Sequence, residues 1–343
     1  MKVNRSNLVK SLEKVVHALG INVLVPEFQF FQISGNRIQT TDGALLIDSP
    51  LPEGEAFDDF AVPGKGFFDL LRNLSEEEVD LIFKEDKLKV KTNKVVGTFA
   101  ILNKVNFKVL NSIDEEISAE VLPDFLKGLS FCRFGVSKDE TAGPLCGVYV
   151  DGNTFFSTDK YRIVRWTLAE EMKFTCSLPV KFIEVLLRYK NEIQHIGYSK
   201  KGFFVAVLQD STVIMSPVLS GDYPELLQYF PTSEYKEIEF VEKPLDVLEK
   251  HIDFLKKVTF VDKEILVEIV DNKCTFISTD KELGVLSEDI EISNKIDSKI
   301  EFNINPLFLK DIMKICSGFK YYDTEGLVLF ETDILTYLVQ IRR

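Results

Sequence analysis

The sequence contains little of the chemistry on which most enzymes depend. Its 343 residues include three histidines, His17, His195 and His251, which lie far apart in the chain. None of the HExxH, GxSxG, Walker or GxGxxG motifs occurs in it. Gly64-Lys-Gly66 is an isolated turn and does not amount to a phosphate-binding loop. We therefore predict no catalytic residue, no metal site and no cofactor.

Cysteine and long apolar runs are also scarce. The five cysteines are an odd number and form no CxxC pair, which predicts buried reduced thiols rather than disulfides or zinc ligands. The longest apolar runs, such as Ile265 to Val270, have the length of a strand, whereas a membrane helix needs about 20 apolar residues. Charged residues near the amino terminus interrupt any signal-peptide core. These absences predict a cytoplasmic protein without a membrane segment.

What the sequence does contain is a threefold repeat. Strings that end in Thr-Asp place their aspartates at Asp42, Asp159 and Asp280, which lie 117 and 121 residues apart. One such string is weak evidence, because Thr and Asp commonly form turns at strand ends. The chain length, however, also corresponds to two or three domains of about 100 to 150 residues. The repeat therefore predicts three domain-sized copies.

Similar elements surround each string in the same order. Apolar residues at helical spacing predict one helix before the string and a second after it, and proline opens each second helix. Alternating β-branched and aromatic residues then predict strands. The fold class is therefore α+β, with three tandem repeats of two helices packed on antiparallel sheet, at residues 1–117, 118–240 and 241–343. The predicted helices are 8–19, 63–74, 122–134, 179–191, 244–258 and 306–316, and the predicted strand runs are 79–101, 193–218 and 321–341.

Charge is distributed unevenly between the helices and the rest of the chain. A net charge of −13 argues against nucleic acid as a partner, since binding requires Lys and Arg to neutralise phosphates. The six helical segments, taken with their flanking residues as 5–19, 63–74, 122–134, 179–192, 244–257 and 306–320, nevertheless hold 16 basic and 9 acidic residues, so the remainder carries the negative charge. If the helices share one surface, that surface attracts phosphates without reading bases. Acidic runs at 75–80, 114–116 and 288–291 are then outer-facing or loop segments.

Four short motifs resemble the bacterial sliding clamp, the beta subunit of DNA polymerase III, over essentially the full chain. The most specific is Ser157-Thr-Asp159-Lys-Tyr-Arg162-Ile-Val, which is similar to the family string Thr-Asp-Gly-His-Arg-Leu. The other three are Gly221 to Pro231, Phe302 to Asn305 with Leu309, and Tyr337 to Val339. In two departures, Lys160-Tyr161 replaces Gly-His, and Gln340-Ile-Arg-Arg343 replaces the ending Met-Pro-Met-Arg-Leu. The resemblance is that of a divergent member.

The resemblance implies a head-to-tail homodimer whose six domains close a ring, with helices lining the hole and sheets on the outside. Such a ring encircles double-stranded DNA and tethers the replicative DNA polymerase. The clamp loader and other proteins with a clamp-binding motif are further implied partners. They bind a hydrophobic cleft between the second and third domains, which suits a short extended peptide with leucine or phenylalanine anchors.

The resemblance and the charge pattern together give three sets of candidate residues. The cleft set, carried over by position, is Leu145, Thr158, Lys160, Tyr161, Arg162, Ile163, Pro224, Gln228, Tyr229, Leu338, Val339, Gln340, Ile341, Arg342 and Arg343. The DNA-facing set comprises basic residues of the helices, namely Lys10, Lys14, Arg72, Lys127, Arg133, Lys181, Arg188, Lys250, Lys257, Lys310 and Lys314. The dimer-interface set is Phe99, Ile101, Phe254 and Leu255.

Three other interpretations remain open. The repeats could form a structural array with no special geometry, although solenoid repeats are shorter, at about 20 to 50 residues. An enzyme is a second interpretation, and hydrolysis of nucleotides or DNA in the presence of a metal would demonstrate it. A third is a protein-interaction scaffold that has the clamp fold and does not encircle DNA.

Overall fold

The computed structural model describes residues 1–20, 25–51, 57–102, 116–120, 124–199, 202–256 and 263–342. The chain forms two compact units. The first comprises Met1–Leu126 with Met172–Leu219, and the second comprises Lys127–Glu171 with Ser220–Arg343. Each unit has a core rich in aromatic side chains, with Phe31, Phe67 and Phe204 fully buried in the first and Trp166 and Phe302 in the second.

The elements recur in one order, which is a strand, a helix, a second group of strands, a helix and three further strands. In the first copy they are β1 (Lys2–Asn4), α1 (Arg5–Val15), β2 (Phe30–Gly35), β3 (Arg37–Thr41), β4 (Leu46–Pro50), β5 (Phe57–Pro63), α2 (Gly64–Asn73), β6 (Glu78–Lys84), β7 (Lys87–Lys91) and β8 (Val96–Ala100).

The second copy has the same order of elements. They are β9 (Glu116–Glu120), α3 (Phe125–Cys132), β10 (Gly147–Asp151), β11 (Thr154–Thr158), β12 (Arg162–Thr167), β13 (Cys176–Pro179), α4 (Val180–Arg188), β14 (Ile193–Ser199), β15 (Phe203–Leu208) and β16 (Val213–Pro217).

In the third copy, one long hairpin occupies the place of the second strand group. Its strands are 16 and 21 residues long. The elements are β17 (Lys236–Glu239), α5 (Leu245–Phe254), β18 (Ile265–Asp280), β19 (Gly284–Ile304), α6 (Pro306–Met313), β20 (Gly318–Tyr322), β21 (Leu327–Glu331) and β22 (Leu335–Gln340).

Strand pairing repeats with the elements. The opening strand of each copy lies antiparallel to the first strand after the second helix, as β1 with β6, β9 with β14 and β17 with β20. Within the first unit, β4 of copy one pairs with β16 of copy two. Within the second unit, β12 of copy two pairs with β22 of copy three. Each unit is therefore built on a sheet that continues from one copy into the next.

The helices form because apolar residues recur along one side of each. In α4, Phe182, Ile183, Val185 and Leu186 are all buried, which is the stripe that a helix packed on a sheet presents. The prolines that open the second helices occupy the positions where a missing N–H is tolerated. Pro63 and Pro179 precede α2 and α4 directly, and Pro306 is the first residue of α6.

The Thr-Asp strings are turns with one shared geometry. In the second copy, the Asp159 carboxylate accepts hydrogen bonds from the amides of Tyr161 and Arg162, both at 3.1 Å. Asp42 and Asp280 accept the equivalent pair of amide bonds in the first and third copies. An aspartate is needed because its side chain reaches the amides two and three residues further along the turn.

The hydroxyl residue before each Thr-Asp pair ties the strand to the helix that opens the same copy. Thr40 donates to the Val15 carbonyl and Ser157 donates to the Cys132 carbonyl, both at 2.5 Å. In the third copy, Ser278 instead bonds to a histidine side chain of α5. The string therefore satisfies buried polar groups at a helix end as well as forming a turn.

Candidate functional site

A concave cleft with a volume of about 520 Å³ lies in the second unit, beside β12 and β22. Ile163 of β12 and Leu338 of β22 stand directly opposite each other in the strand ladder and are both buried. They pack with Leu226 in one apolar cluster at the cleft. The full lining is Leu145, Thr158, Lys160, Tyr161, Arg162, Ile163, Pro224, Leu226, Tyr229, Leu327, Leu338 and Gln340.

Aromatic side chains stand exposed at the cleft. Tyr161 is 51% exposed and Tyr229 is 56% exposed, although both are large and mostly apolar. Exposed aromatic groups around an apolar depression are typical of a surface that binds a peptide. The cleft can accept apolar side chains at its base, and its lining also includes the polar groups of Thr158, Lys160 and Gln340.

The Arg162 guanidinium is a buried cation next to the cleft. Its Nε lies 2.9 Å from an Asp159 carboxylate oxygen, and a second nitrogen lies 2.9 Å from the Tyr337 hydroxyl and 3.5 Å from Asp311. The guanidinium also stacks 4.1 Å from the centre of the Phe308 ring. Burial raises the pKa of Asp311, and the charge of Arg162 opposes that shift. Arg162 therefore joins strand β12 to helix α6 and strand β22.

Two of the candidate DNA-facing lysines of the first unit are held in ion pairs. Lys14 lies 2.7 Å from Asp210 and 3.0 Å from Glu192. Burial works against the charge on Lys14, but the hydrogen bonds that it donates to Asp210 and Glu192, together with their negative charges, outweigh that effect and raise the pKa of Lys14. Lys181 is paired with Asp42. These lysines contribute less free positive charge than the sequence suggests.

The second unit shows the same pattern. Lys250 lies 2.6 Å from Glu288, and Lys310 lies 2.8 Å from Glu249. Arg133 is half-buried over the Phe134 ring. Lys257 lies outside the described residues. Within the described part of the chain, the candidates that are exposed and have no carboxylate partner are Lys10, Arg72, Arg188 and Lys314.

The candidate interface residues differ in their exposure. Ile101 and Leu255 are buried within the chain, at 8% and 1% exposure. Phe99 of β8 is half-buried and packs edge-on against Phe67 with ring centres 5.7 Å apart, and Phe254 is also half-buried. The more accessible apolar residue of β8 is Val96.

The described residues bring no three His, Cys, Asp or Glu side chains together in a group that could hold a metal ion. The imidazole of His251 is fully buried, whereas His17 and His195 are half-buried. Over the same residues, none of the helices has both the length and the apolar character that crossing a membrane requires.

Comparison with known proteins relates the chain to bacterial proteins of one kind. No protein-family model matches it. The beta sliding clamp of Rickettsia felis is 26% identical over 91% of this chain and 89% of its own length. That of Chlamydia pneumoniae is 22% identical over 74% of this chain and 71% of its own length.

Solved structures extend the likeness to the whole fold. The DNA polymerase sliding clamp from Bacillus subtilis covers all of this chain with a TM-score of 0.83 at 17% identity, over 98% of its own length. The DNA polymerase III beta chain from Streptococcus pneumoniae reaches 0.85 at 15% identity, over 99% of its own length. In sequence and in fold the chain resembles a divergent beta sliding clamp.

Within this chain, ten of the candidate cleft residues line one depression, and the structure adds Leu226 and Leu327. Leu226 lies inside the motif 221–231, so its position was available from the sequence. Leu327 stands opposite Gln340 in the ladder of β21 and β22, which required knowledge of the strand pairing. The role of each residue in binding stays a prediction.

The other cleft candidates do not line this depression. Val339 is fully buried between Leu338 and Gln340, because successive side chains of a strand face opposite sides of the sheet. Ile341 is buried as well. The remaining candidates outside the lining are Gln228, whose side chain bonds to the Glu225 carbonyl, Arg342, which pairs with Glu264, and Arg343, which lies outside the described residues.

Proposed function

We propose that this chain is a DNA sliding clamp. Two copies form a closed ring that encircles duplex DNA without sequence specificity and tethers the replicative DNA polymerase. The clamp acts as a processivity factor, and we assign no reaction to it. The observation that carries the proposal is the full-length likeness to beta sliding clamps in sequence and fold.

The strand pairing supports a head-to-tail dimer. At both joints inside the chain, the last strand of one copy pairs with the strand that follows the Thr-Asp turn of the preceding copy, as β16 with β4 and β22 with β12. One strand edge of each of these two kinds occurs at the ends of the repeat. They are β8, the outer strand of its sheet, and the start of β19 after Asp280. Joining these edges between two chains repeats the internal joint and closes a ring.

The helices supply the DNA-facing charge. Lys10, Arg72, Arg188 and Lys314 are exposed cations on or directly beside helices, in a chain whose net charge is −13. Cations of this kind attract phosphates irrespective of base sequence, and the acidic remainder disfavours DNA on other surfaces. Such weak, non-specific contacts suit a protein that must slide along the duplex.

The cleft serves as the docking site for partners. Its buried base, formed by Ile163, Leu226 and Leu338, suits leucine or phenylalanine side chains of an extended peptide. We assign to it the replicative polymerase, the clamp loader and other proteins that carry a clamp-binding motif.

One observation favours the alternative of a clamp-fold scaffold that does not encircle DNA. Helix α5 carries Asp246, Glu249 and Asp253 against Lys250, so this helix is acidic. Four of the candidate DNA-facing lysines are also held in ion pairs. Both features reduce the positive charge available to DNA.

The charge of the helices can be tested directly. We expect replacement of Lys10, Arg72, Arg188 and Lys314 by Glu to lower affinity for a short duplex at least tenfold at low salt. The slope of log affinity against log salt should also fall, by about 0.9 for each phosphate that the protein no longer neutralises. Fluorescence anisotropy measures both quantities.

A matched control variant carries the same change of charge outside the helices. It replaces four exposed lysines on strands and loops, namely Lys87, Lys89, Lys173 and Lys295, by Glu. Its affinity should stay within about threefold of the unmodified protein once the general effect of net charge is screened at moderate salt. Equal losses in the two variants would favour the scaffold.

A further inference from the structure

The turn at the edge of the cleft holds a residue in an unfavourable backbone conformation. Lys160 follows Asp159 with φ of +76°, in the left-handed region that disfavours residues with a side chain. In the first copy, the residue that follows Asp42 in the equivalent turn is Gly43, with φ of +92°. The turns of the first two copies thus adopt positive φ at this position, which glycine does without strain. Lys281, which follows Asp280 in the third copy, does not have positive φ. The second copy keeps a lysine there despite the cost.

The Lys160 side chain lines the cleft and is exposed. Among the described residues, no carboxylate forms an ion pair with its ammonium group. The other cation of the lining, Arg162, is compensated by Asp159 and Asp311. None of the lining residues within the described chain is acidic. Lys160 is therefore the uncompensated charge of a mainly apolar cleft.

The charge of Lys160 affects the pKa of one acidic side chain, Asp139, but that side chain is held by other partners. Asp139 accepts hydrogen bonds from the hydroxyl and the amide of Thr141, at 2.6 and 3.0 Å. These bonds are the main cause of its lowered pKa, to which Lys160 adds only a minor contribution. Asp139 leaves the ammonium group of Lys160 available to a ligand.

We propose that Lys160 is a specificity-determining residue of the cleft, which selects partner peptides that carry an acidic residue beside their leucine or phenylalanine anchors. The proposal rests on the docking function of the cleft. A residue in a strained backbone conformation is retained at a binding site when its side chain has a use there. Glycine at this position would adopt the same turn without strain. The chemistry available to Lys160 is attraction of a carboxylate next to a partly desolvated apolar surface.

The test uses synthetic five-residue peptides with blocked ends, built on two leucines and one phenylalanine. The two positions that are not anchors carry Ser, Asp or Asn in turn, so that each Asp peptide has a neutral Asn counterpart of equal size. Isothermal titration with the full-length protein at low salt measures affinity. We expect at least one Asp peptide to bind about three- to tenfold more tightly than its Asn counterpart, and the ratio to shrink at high salt.

Three variants of Lys160 separate charge from backbone strain. Lys160→Arg should keep the preference for Asp, whereas Lys160→Gln and Lys160→Gly should bring the Asp and Asn affinities within twofold of each other. Lys160→Gly should also raise the thermal midpoint by about 1–2 °C, because glycine relieves the left-handed strain. Glu85→Gly is the matched control, since Glu85 also has positive φ, at +55°, in the turn between β6 and β7. It should raise the midpoint and leave peptide binding unchanged.

The possible outcomes distinguish the two proposals. Peptides that bind with equal affinity whether they carry Asp or Asn would overturn the role of Lys160 and leave the docking cleft intact. A preference for Asp that persists in Lys160→Gln would also overturn it. If no peptide of the set binds the unmodified protein, the docking function fails and the specificity inference fails with it.

Discussion

Arg162 shows how one side chain can fix the geometry of the cleft. Its charge is buried, and it is balanced by Asp159 and Asp311 and by a hydrogen bond to the Tyr337 hydroxyl. Resemblance alone suggested a residue that contacts a peptide. The structure adds a second role, because the guanidinium connects strand β12, which lines the cleft, to helix α6 and strand β22.

We expect Arg162→Ala to lower the free energy of unfolding by about 3–5 kcal/mol, since it leaves buried partners without a counter-charge. Urea unfolding followed by circular dichroism measures the change. Arg342→Ala is the control, because Arg342 is exposed and lies 3.3 Å from Glu264, and it should cost less than about 1 kcal/mol. Similar losses for the two variants would contradict the structural role of Arg162.

His251 is a buried base whose protonation should destabilise the fold. Its Nδ1 lies 2.6 Å from the Ser278 hydroxyl, and its Nε2 has no hydrogen-bond partner in the described chain. Burial lowers the pKa of His251, and the nearby Glu288 opposes this shift. A base with a lowered pKa stabilises the folded state above the unfolded-state value, about 6.5, and that contribution is lost as pH falls through the folded-state pKa.

The free energy of unfolding should therefore be lower at pH 5.5 than at pH 7.5. The difference should shrink in His251→Gln, which cannot gain a proton, and persist in the control His195→Gln. Urea unfolding at the two pH values measures it. An undiminished pH effect in His251→Gln would show that the destabilising proton binds elsewhere.

At the scale of elements, the sequence predicts the helices better than the strands. Each of the six predicted helices overlaps an observed one, because the buried stripes recur at helical spacing. The ends of the helices are predicted less accurately than their positions. Helix α1 begins at Arg5 instead of Leu8, since the Asn4 side chain accepts a bond from the Asn7 amide at 3.0 Å and caps the helix.

The long hairpin of the third copy was not predicted. The acidic run 288–291, expected to be outer-facing or a loop, lies in β19 and pairs with 273–276 of β18. Many side chains of this hairpin are exposed, so hydrophobicity gives little sign of the strands. The predicted domain boundaries near residues 118 and 240 fall in or just after the short strands β9 and β17, which composition does not distinguish from loops.

Helix α3 provides a test of close packing. A Cβ atom at Gly128 would lie 2.6 Å from Cδ1 of Trp166 and 2.9 Å from a ring carbon of Phe155. Alanine normally stabilises a helix relative to glycine, by about 1 kcal/mol, but here both aromatic rings would have to move. We expect Gly128→Ala to lower the free energy of unfolding by about 1–3 kcal/mol.

The matched control is Gly66→Ala in α2, where the added Cβ would lie at an ordinary contact distance of 3.4 Å from Phe99. This variant should be at least as stable as the unmodified protein. Chemical denaturation compares the two. A stabilised Gly128→Ala protein would show that α3 does not lie so close to the sheet.

At the scale of the whole molecule, the distribution of charge was only partly predictable. The excess of basic residues on the helical segments follows from the sequence. The ion pair between Lys14 and Glu192 does not, because it joins residues 178 positions apart. The same limit applies to the cleft, whose floor depends on the pairing of β12 with β22.

The proposed dimer makes a prediction about mass. Val96 on β8 and Val285 at the start of β19 are 63% and 65% exposed, and both lie on the edges that we propose to join. The unmodified protein should have twice the chain mass of 39.2 kDa at micromolar concentration. Val96→Asp combined with Val285→Asp should shift the mass towards the single chain, because desolvating two carboxylates at the joint is costly.

Light scattering after size-exclusion chromatography measures these masses. Leu227→Asp is the control, since Leu227 is also exposed and apolar but lies near the cleft. It should leave the mass unchanged. A single-chain mass for the unmodified protein would place the closed ring in doubt, and a dimer unaffected by the double substitution would place the joint elsewhere.

The central claim is that the protein holds DNA by enclosing it. The most direct measurement compares retention on a nicked circular plasmid, after loading by the clamp loader, with retention after the same plasmid is cut once. Gel filtration separates bound from free protein. The proposal predicts that the protein stays on the circle and slides off the linear molecule. Equal retention on the two forms would contradict topological enclosure and leave a DNA-binding or scaffold protein with the clamp fold.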